Sequence, residues 1–157
     1  IVRGNASEII ALAGLWGLEG EAADLSRVRG VDTTDTVDAA RDAAVALARY
    51  TGGAVVVSGE VDLITDGTTV AKSHGGSPLM SKITGCGCSQ GGVLAVYACV
   101  TDPFTAAVCG TAVYNVAGTR AAAVADAPAS FKVAFIDELY RATAQDIANN
   151  QLELEEA

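Results

Sequence analysis

Three short stretches of this chain carry residue types that could do chemistry: Arg3-Gly4-Asn5-Ala6-Ser7-Glu8, Ser58-Gly59-Glu60-Val61-Asp62, and Thr84-Gly85-Cys86-Gly87-Cys88. In the third, glycines alternate just ahead of an apolar run with helical character. Such glycines let consecutive backbone N–H groups converge on one point. The positive end of a helix adds partial charge there, so an anion such as phosphate is stabilised. Cys88 falls in the first helical turn, where a thiol pKa is lowered. Glycine also suits the sterics of a strand-to-helix turn, so the loop by itself leaves both readings open.

Cys86 and Cys88 are separated by one residue, closer than the paired cysteines of structural zinc sites. The single histidine, His74, lies in the loop SHGGSP and reads as an exposed loop residue, and Cys99 and Cys109 read as small buried hydrophobes. A metal clip on these thiols is therefore disfavoured. The first stretch has two readings. Asn5 and Glu8 stand at capping-box spacing; equally, Glu8 could serve a metal-bound phosphate while Arg3 binds phosphate oxygens by charge-assisted hydrogen bonds. Glu60, Asp62 and Asp66 read as turn residues on an acidic surface.

These residues need a scaffold. IVRGNASEIIALAG reads as a strand end entering a helix, and Gly17 to Asp35 as a loop. TDTVDAARDAAVALARYTGG predicts a helix stopped at Gly52, and AVVVSG a strand buried on both faces. VDLIT and TTVAK flank Asp66-Gly67 and predict a hairpin at a sheet edge. Helices are expected from Cys88 to Val100, from Phe104 to about Ala125, and from Ser130 to about Asn149, with the acidic tail QLELEEA frayed. The sum is a layered α/β fold with few strands for its length, so either the sheet is small or part of it lies outside this chain. The chain starts with Ile1, so either a start has been trimmed or this is the later part of a longer protein.

Composition narrows the function classes. Half of the 157 residues are hydrophobic, enough for one substantial core. A formal charge of −9 with scattered Lys and Arg argues against nucleic acid or anionic membrane as partner. The longest apolar stretch is broken at Asp102-Pro103, so no membrane span is expected. Four cysteines are too few for a disulfide framework, which points to a reducing cytoplasm.

Four separated stretches, RGNASEI, SGEVDLITDG, SPLMSKITGCGCS and SFKVAFIDELY, resemble in order and spacing the later part of hydroxyethylthiazole kinase, a family of the ribokinase-like superfamily. The resemblance implies a three-layer α/β/α sandwich, its central sheet mostly parallel and covered by helices on both faces. It makes 1–157 a single domain, the C-terminal part of a kinase domain whose N-terminal segment is absent. The implied reaction moves the γ-phosphate of ATP, with Mg²⁺, to the hydroxyl of 4-methyl-5-(2-hydroxyethyl)thiazole in thiamine salvage. The implied assembly is a homotrimer with active sites between subunits.

By the same resemblance, Arg3 matches an ATP-contacting arginine, and Asn5 and Glu8 match an N-x-x-E motif serving phosphate and Mg²⁺. Ser58 stands for an ATP-binding threonine, Gly87 belongs to the nucleotide loop, and Gly85 matches a thiazole-contacting glycine. Cys88 takes the place of the aspartate base of related sugar kinases; a thiol can do so because a loose phosphoryl-transfer transition state needs little early proton removal. The sequence departs from the family at Cys86, which replaces a threonine, at Gln90-Gly91-Gly92, which replace better helix formers, and at Ala127-Pro128-Ala129, in place of Gly-Pro-Gly. Other ribokinase-like activities, a kinase for another heterocyclic alcohol or a nucleotide-repair dehydratase, are alternatives. So is an inactive nucleotide-binding module.

Overall fold

The computed structural model describes residues 1–18 and 37–157. Strand β1 (Val2–Asn5) runs straight into α1 (Ala6–Leu15), and a 3-10 turn at Val37–Ala40 leads into α2 (Arg41–Thr51). Then come β2 (Val55–Ser58), β3 (Asp62–Thr65) and β4 (Thr69–Ser73). A second 3-10 turn, Pro78–Lys82, precedes α3 (Cys86–Ala98), α4 (Pro103–Ala122), α5 (Pro128–Arg141), α6 (Ala144–Ala148) and β5 (Leu152–Glu156). Of the loop expected from Gly17 to Asp35, all but the first two residues lie outside the described residues.

The five strands form one sheet in chain order, β1-β2-β3-β4-β5. Helices cover both faces, as expected for a three-layer α/β/α domain. Among the described residues the sheet is mixed rather than mostly parallel: β1 and β2 are parallel, and the other three pairings are antiparallel. Connection length explains this. A parallel neighbour needs a crossover, which the stretch carrying α1 and α2 supplies; the short turns after β2 and β3 allow only antiparallel return.

Strand β2 is the keel of the domain. Val55, Val56 and Val57 are fully buried, and alternation sends them to opposite faces. Val55 and Val57 join Ile9, Ala13, Ala44 and Leu47 under α1 and α2, whereas Val56 meets Ile64, Ala71, Leu94 and Ala107 under α3 and α4. Each such valine contributes about 1.5–3 kcal/mol of burial. A third cluster locks α4 to α5 through Tyr114, Ala117, Phe131 and Phe135, and Cys86 packs into it.

Five expectations change. The helix from Ser130 breaks at Ala142, because Thr143 caps a new short helix, α6, with Asp146 as its capping-box partner. The acidic tail is not frayed but forms β5, antiparallel to β4 with Val70 opposite Glu155 and Lys72 opposite Glu153. Arg41 anchors this strand by an ion pair to Glu155 at 3.4 Å and a hydrogen bond to the Glu156 carbonyl at 2.7 Å. His74 approaches Glu153 at 2.9 Å, so it is a half-buried strand-end partner rather than a free loop residue. With β5 in place, the Asp66-Gly67 hairpin sits inside the sheet and not at its edge. Finally, Cys99 is exposed and Cys109 only half-buried, since Cys99 caps the solvent-facing end of α3.

Candidate active site

β1 and β2 end side by side, with Asn5 opposite Ser58. That is the carboxyl end of the parallel pair, where open α/β sheets gather ligands. Arg3 reaches across it. Its Nε–H donates to Gln90 Oε1 at 2.9 Å, and one terminal N–H donates to Ser58 Oγ at 3.0 Å. The guanidinium lies directly against Gly87: a Cβ there would stand 2.9 Å from the nearest Arg3 nitrogen, so a side chain at 87 would push the guanidinium out of this position. Three segments remote in sequence therefore converge on one cation.

The helix behind that cation starts with an unusual first turn. Gly85 caps α3 with φ of +84°, a left-handed conformation that a side chain would strain. Ser89 Oγ lies 3.0 Å from the Gly85 carbonyl, 2.9 Å from that of Cys86 and 2.6 Å from the Tyr114 hydroxyl, which itself donates to the Cys86 carbonyl at 3.2 Å. The turn is thus pinned from behind. In front, the N–H groups of Gly87 and Cys88 make no hydrogen bond among the described residues, as the opening donors of a helix do. Cys86 is buried and Cys88 exposed; burial pushes the Cys86 thiol up, with Arg3 opposing.

Asn5 and Glu8 close a full capping box. The Glu8 N–H donates to Asn5 Oδ1 at 2.9 Å, and the Asn5 N–H donates to Glu8 Oε2 at 2.8 Å. Neither residue touches Arg3, Ser58 or Gly87 through a hydrogen bond or ion pair among the described residues.

A family model, "HK: Hydroxyethylthiazole kinase family", matches residues 1–145. The chain belongs to the hydroxyethylthiazole kinase family. A hydroxyethylthiazole kinase of Bifidobacterium longum (strain DJO10A) is 46% identical over 169 residues, covering 97% of this chain and 54% of that protein. One from Gemmatimonas aurantiaca is 46% identical over 151 residues, covering 96% of this chain and 51% of its own. The solved structure of the hydroxyethylthiazole kinase protein from Pyrococcus horikoshii OT3 superposes with a TM-score of 0.78 at 27% identity, over 99% of this chain and 54% of that one. The chain thus spans about half the length of the curated relatives it matches.

Of the residues singled out for this kinase family, Arg3, Ser58 and Gly87 are brought together, with Gly85 and Cys88 on the same helical turn. Asn5 and Glu8 serve each other at the head of α1. As a Mg²⁺ ligand, Glu8 offers one carboxylate oxygen that has no protein partner among the described residues. No cluster of three His, Cys, Asp or Glu side chains suited to a metal occurs among the described residues. This donor set fits an ion held mostly by substrate phosphates and water, and does not fit an all-protein cage.

Two other residues matter that motif reading missed. Gln90, seen in the sequence only as a poor helix former, is buried and holds Arg3. Asp62, read as a surface turn residue, is buried, accepts from the Gly59 N–H at 2.9 Å and from Asn115 Nδ2 at 3.1 Å, and shapes the turn after Ser58. Burial pushes its carboxyl up, against those hydrogen bonds and the nearby Arg3 charge. Its spacing from Gly59, three residues on, was the available signal. Two clefts, of about 190 and 320 Å³, lie between α4 and the α6–β5 end and include none of these residues. No helix among the described residues is long and apolar enough to cross a membrane.

Proposed function

We propose that this chain supplies the nucleotide-phosphate receptor and the acceptor-activating turn of an enzyme that transfers the γ-phosphate of ATP to the hydroxyl of 4-methyl-5-(2-hydroxyethyl)thiazole. The observation that carries it is the Arg3 guanidinium, held by Ser58 and Gln90 against Gly87 beside free N–H groups at the head of α3. Phosphoryl transfer depends mainly on positioning and on neutralising charge, and preorganised donors of this kind provide both. Arg3 and the Gly87 and Cys88 amides bind phosphate oxygens, Ser58 and Asn5 flank the nucleotide, and Gly85 borders the thiazole. Cys88, exposed in the first turn, accepts the proton of the attacking hydroxyl as a thiolate and becomes the thiol as the phosphate ester forms. Mg²⁺ at Glu8, when bound, offsets negative charge on the phosphates. Exposed Val133, Ile136 and Tyr140 on α5 support self-association, and a homotrimer is the proposed state. An ATP-dependent enzyme works where ATP is, so the proposed location is cytoplasmic.

The capping box in which Asn5 and Glu8 engage each other favours one further reading, a phosphate receptor without turnover. Coupled detection of ADP, with and without the thiazole alcohol, separates the two when run on this chain and on a version extended upstream to the relatives' length. Thiazole-dependent ADP release supports the kinase. Nucleotide binding with no such release in either version overturns it.

A further inference from the structure

We infer that Gln90 is a positioning residue, one that orients Arg3 while leaving its positive charge unspent; this rests on the phosphate-receptor reading above. Gln90 lies in the first half of α3 and is buried at 5% exposure. A buried amide is unfavourable unless it is hydrogen-bonded, and an apolar residue would pack the same space at lower cost. The only hydrogen bond of the Gln90 side chain among the described residues is the one its Oε1 accepts from Arg3 Nε. The amide is therefore there for the arginine.

The chemistry of the acceptor is the second half of the case. A guanidinium has five N–H donors in a rigid plane, so fixing Nε and one terminal nitrogen fixes the direction of the rest. Gln90 and Ser58 engage one each, and the remaining donors make no hydrogen bond among the described residues. Both acceptors are neutral. No carboxylate forms an ion pair with Arg3 among the described residues, whereas Arg41 pairs with one and Arg120 and Arg141 with two each. Asp62, whose carboxyl feels the Arg3 charge, is engaged by Gly59 and Asn115 instead. A glutamate at position 90 would hold the same geometry and cancel the charge; a leucine would keep the packing and lose the geometry.

Those two variants test the assignment on the full chain, with inorganic pyrophosphate as the probe. Two signals are read: pyrophosphate affinity by calorimetry, and the Arg3 Nε–H resonance by ¹⁵N NMR, assigned by its loss in Arg3→Lys. Gln90→Leu is expected to lose the slowly exchanging Nε–H signal and weaken pyrophosphate by about tenfold. Gln90→Glu is expected to keep the signal and still weaken binding by at least as much. A merely structural Gln90 would not divide geometry from affinity in this way. Gln90→Met replaces the leucine variant if that one loses its thermal transition. Wild-type binding that all these variants leave intact overturns the assignment alone. Wild-type protein that binds no pyrophosphate overturns the receptor reading, and the role of Gln90 with it.

Discussion

Arg3 and Arg120 are two arginines in opposite circumstances. Arg120 closes a two-pronged pair on Asp146, at 2.5 and 3.2 Å, with Glu138 a further 4.0 Å neighbour, so α4, α5 and α6 are tied around a neutralised charge. Among the described residues Arg3 meets only an amide and a hydroxyl. The carboxylates near them diverge in the same sense: Arg120 holds Asp146 well below the usual carboxylate range, while burial pushes Asp62, near Arg3, up. One end of the molecule uses a cation as a staple. The other keeps one that no carboxylate among the described residues pairs with, in reserve for an anion.

Arg3→Ala breaks this comparison most severely. It is expected to lower kcat/KM of the upstream-extended enzyme by about 100-fold, the loss typical of removing one preorganised donor, and to lower its melting temperature modestly, because buried Gln90 loses its partner. Cys88→Ser should lose less, because a loose transition state needs little early proton removal and the serine hydroxyl still accepts a hydrogen bond from the attacking alcohol; steady-state kinetics with the reverse ranking would sink the assigned roles. Gly87→Ala places a methyl 2.9 Å from the guanidinium and is expected to weaken pyrophosphate by about tenfold in calorimetry. Gly91→Ala and Gly92→Ala, where an added Cβ meets nothing within 4 Å, sharpen that result. Each should leave binding alone and stabilise α3 by about 1 kcal/mol in denaturant unfolding.

The smallest effects are pH slopes. The Asp146 carboxyl is depressed in the fold, so its stabilisation is present above the unfolded value near 4 and is lost as pH falls below it. Arg120→Ala should lower the melting temperature at neutral pH, spare activity and flatten that acid limb. The Asp62 carboxyl is raised, so the protonated form suits the fold and stability declines as pH climbs from the unfolded value through the folded one. Asp62→Asn should remove that decline; a difference curve between the two proteins that stays flat with pH would contradict it.

Much of the scaffold was legible from local chemistry. The valine run of β2, the Asp66-Gly67 turn and the Asp102-Pro103 helix start each announce themselves within a few residues, because short-range sterics and capping decide them. The convergence of Arg3, Ser58 and Gly87 followed from motif order. What stayed hidden depends on partners far along the chain. Gln90 gains its meaning only from an arginine on β1, Asp62 only from α4 closing over it, and β5 only from Arg41 and His74 accepting its glutamates. The α6 break was readable in hindsight from Thr143 and Asp146, but the apolar pattern through Ser130–Asn149 masked it.

The unequal fates of Cys86 and Cys88 also equip the site with a reporter. Cys86 is buried with a thiol made less acidic, whereas Cys88 is open to solvent in the turn that flanks Arg3. With exposed Cys99 replaced by alanine, a maleimide fluorophore would settle chiefly on Cys88, whose own amide belongs to the receptor for phosphate. Its emission would register a bound anion optically, in a chain with no second tryptophan to confuse the background.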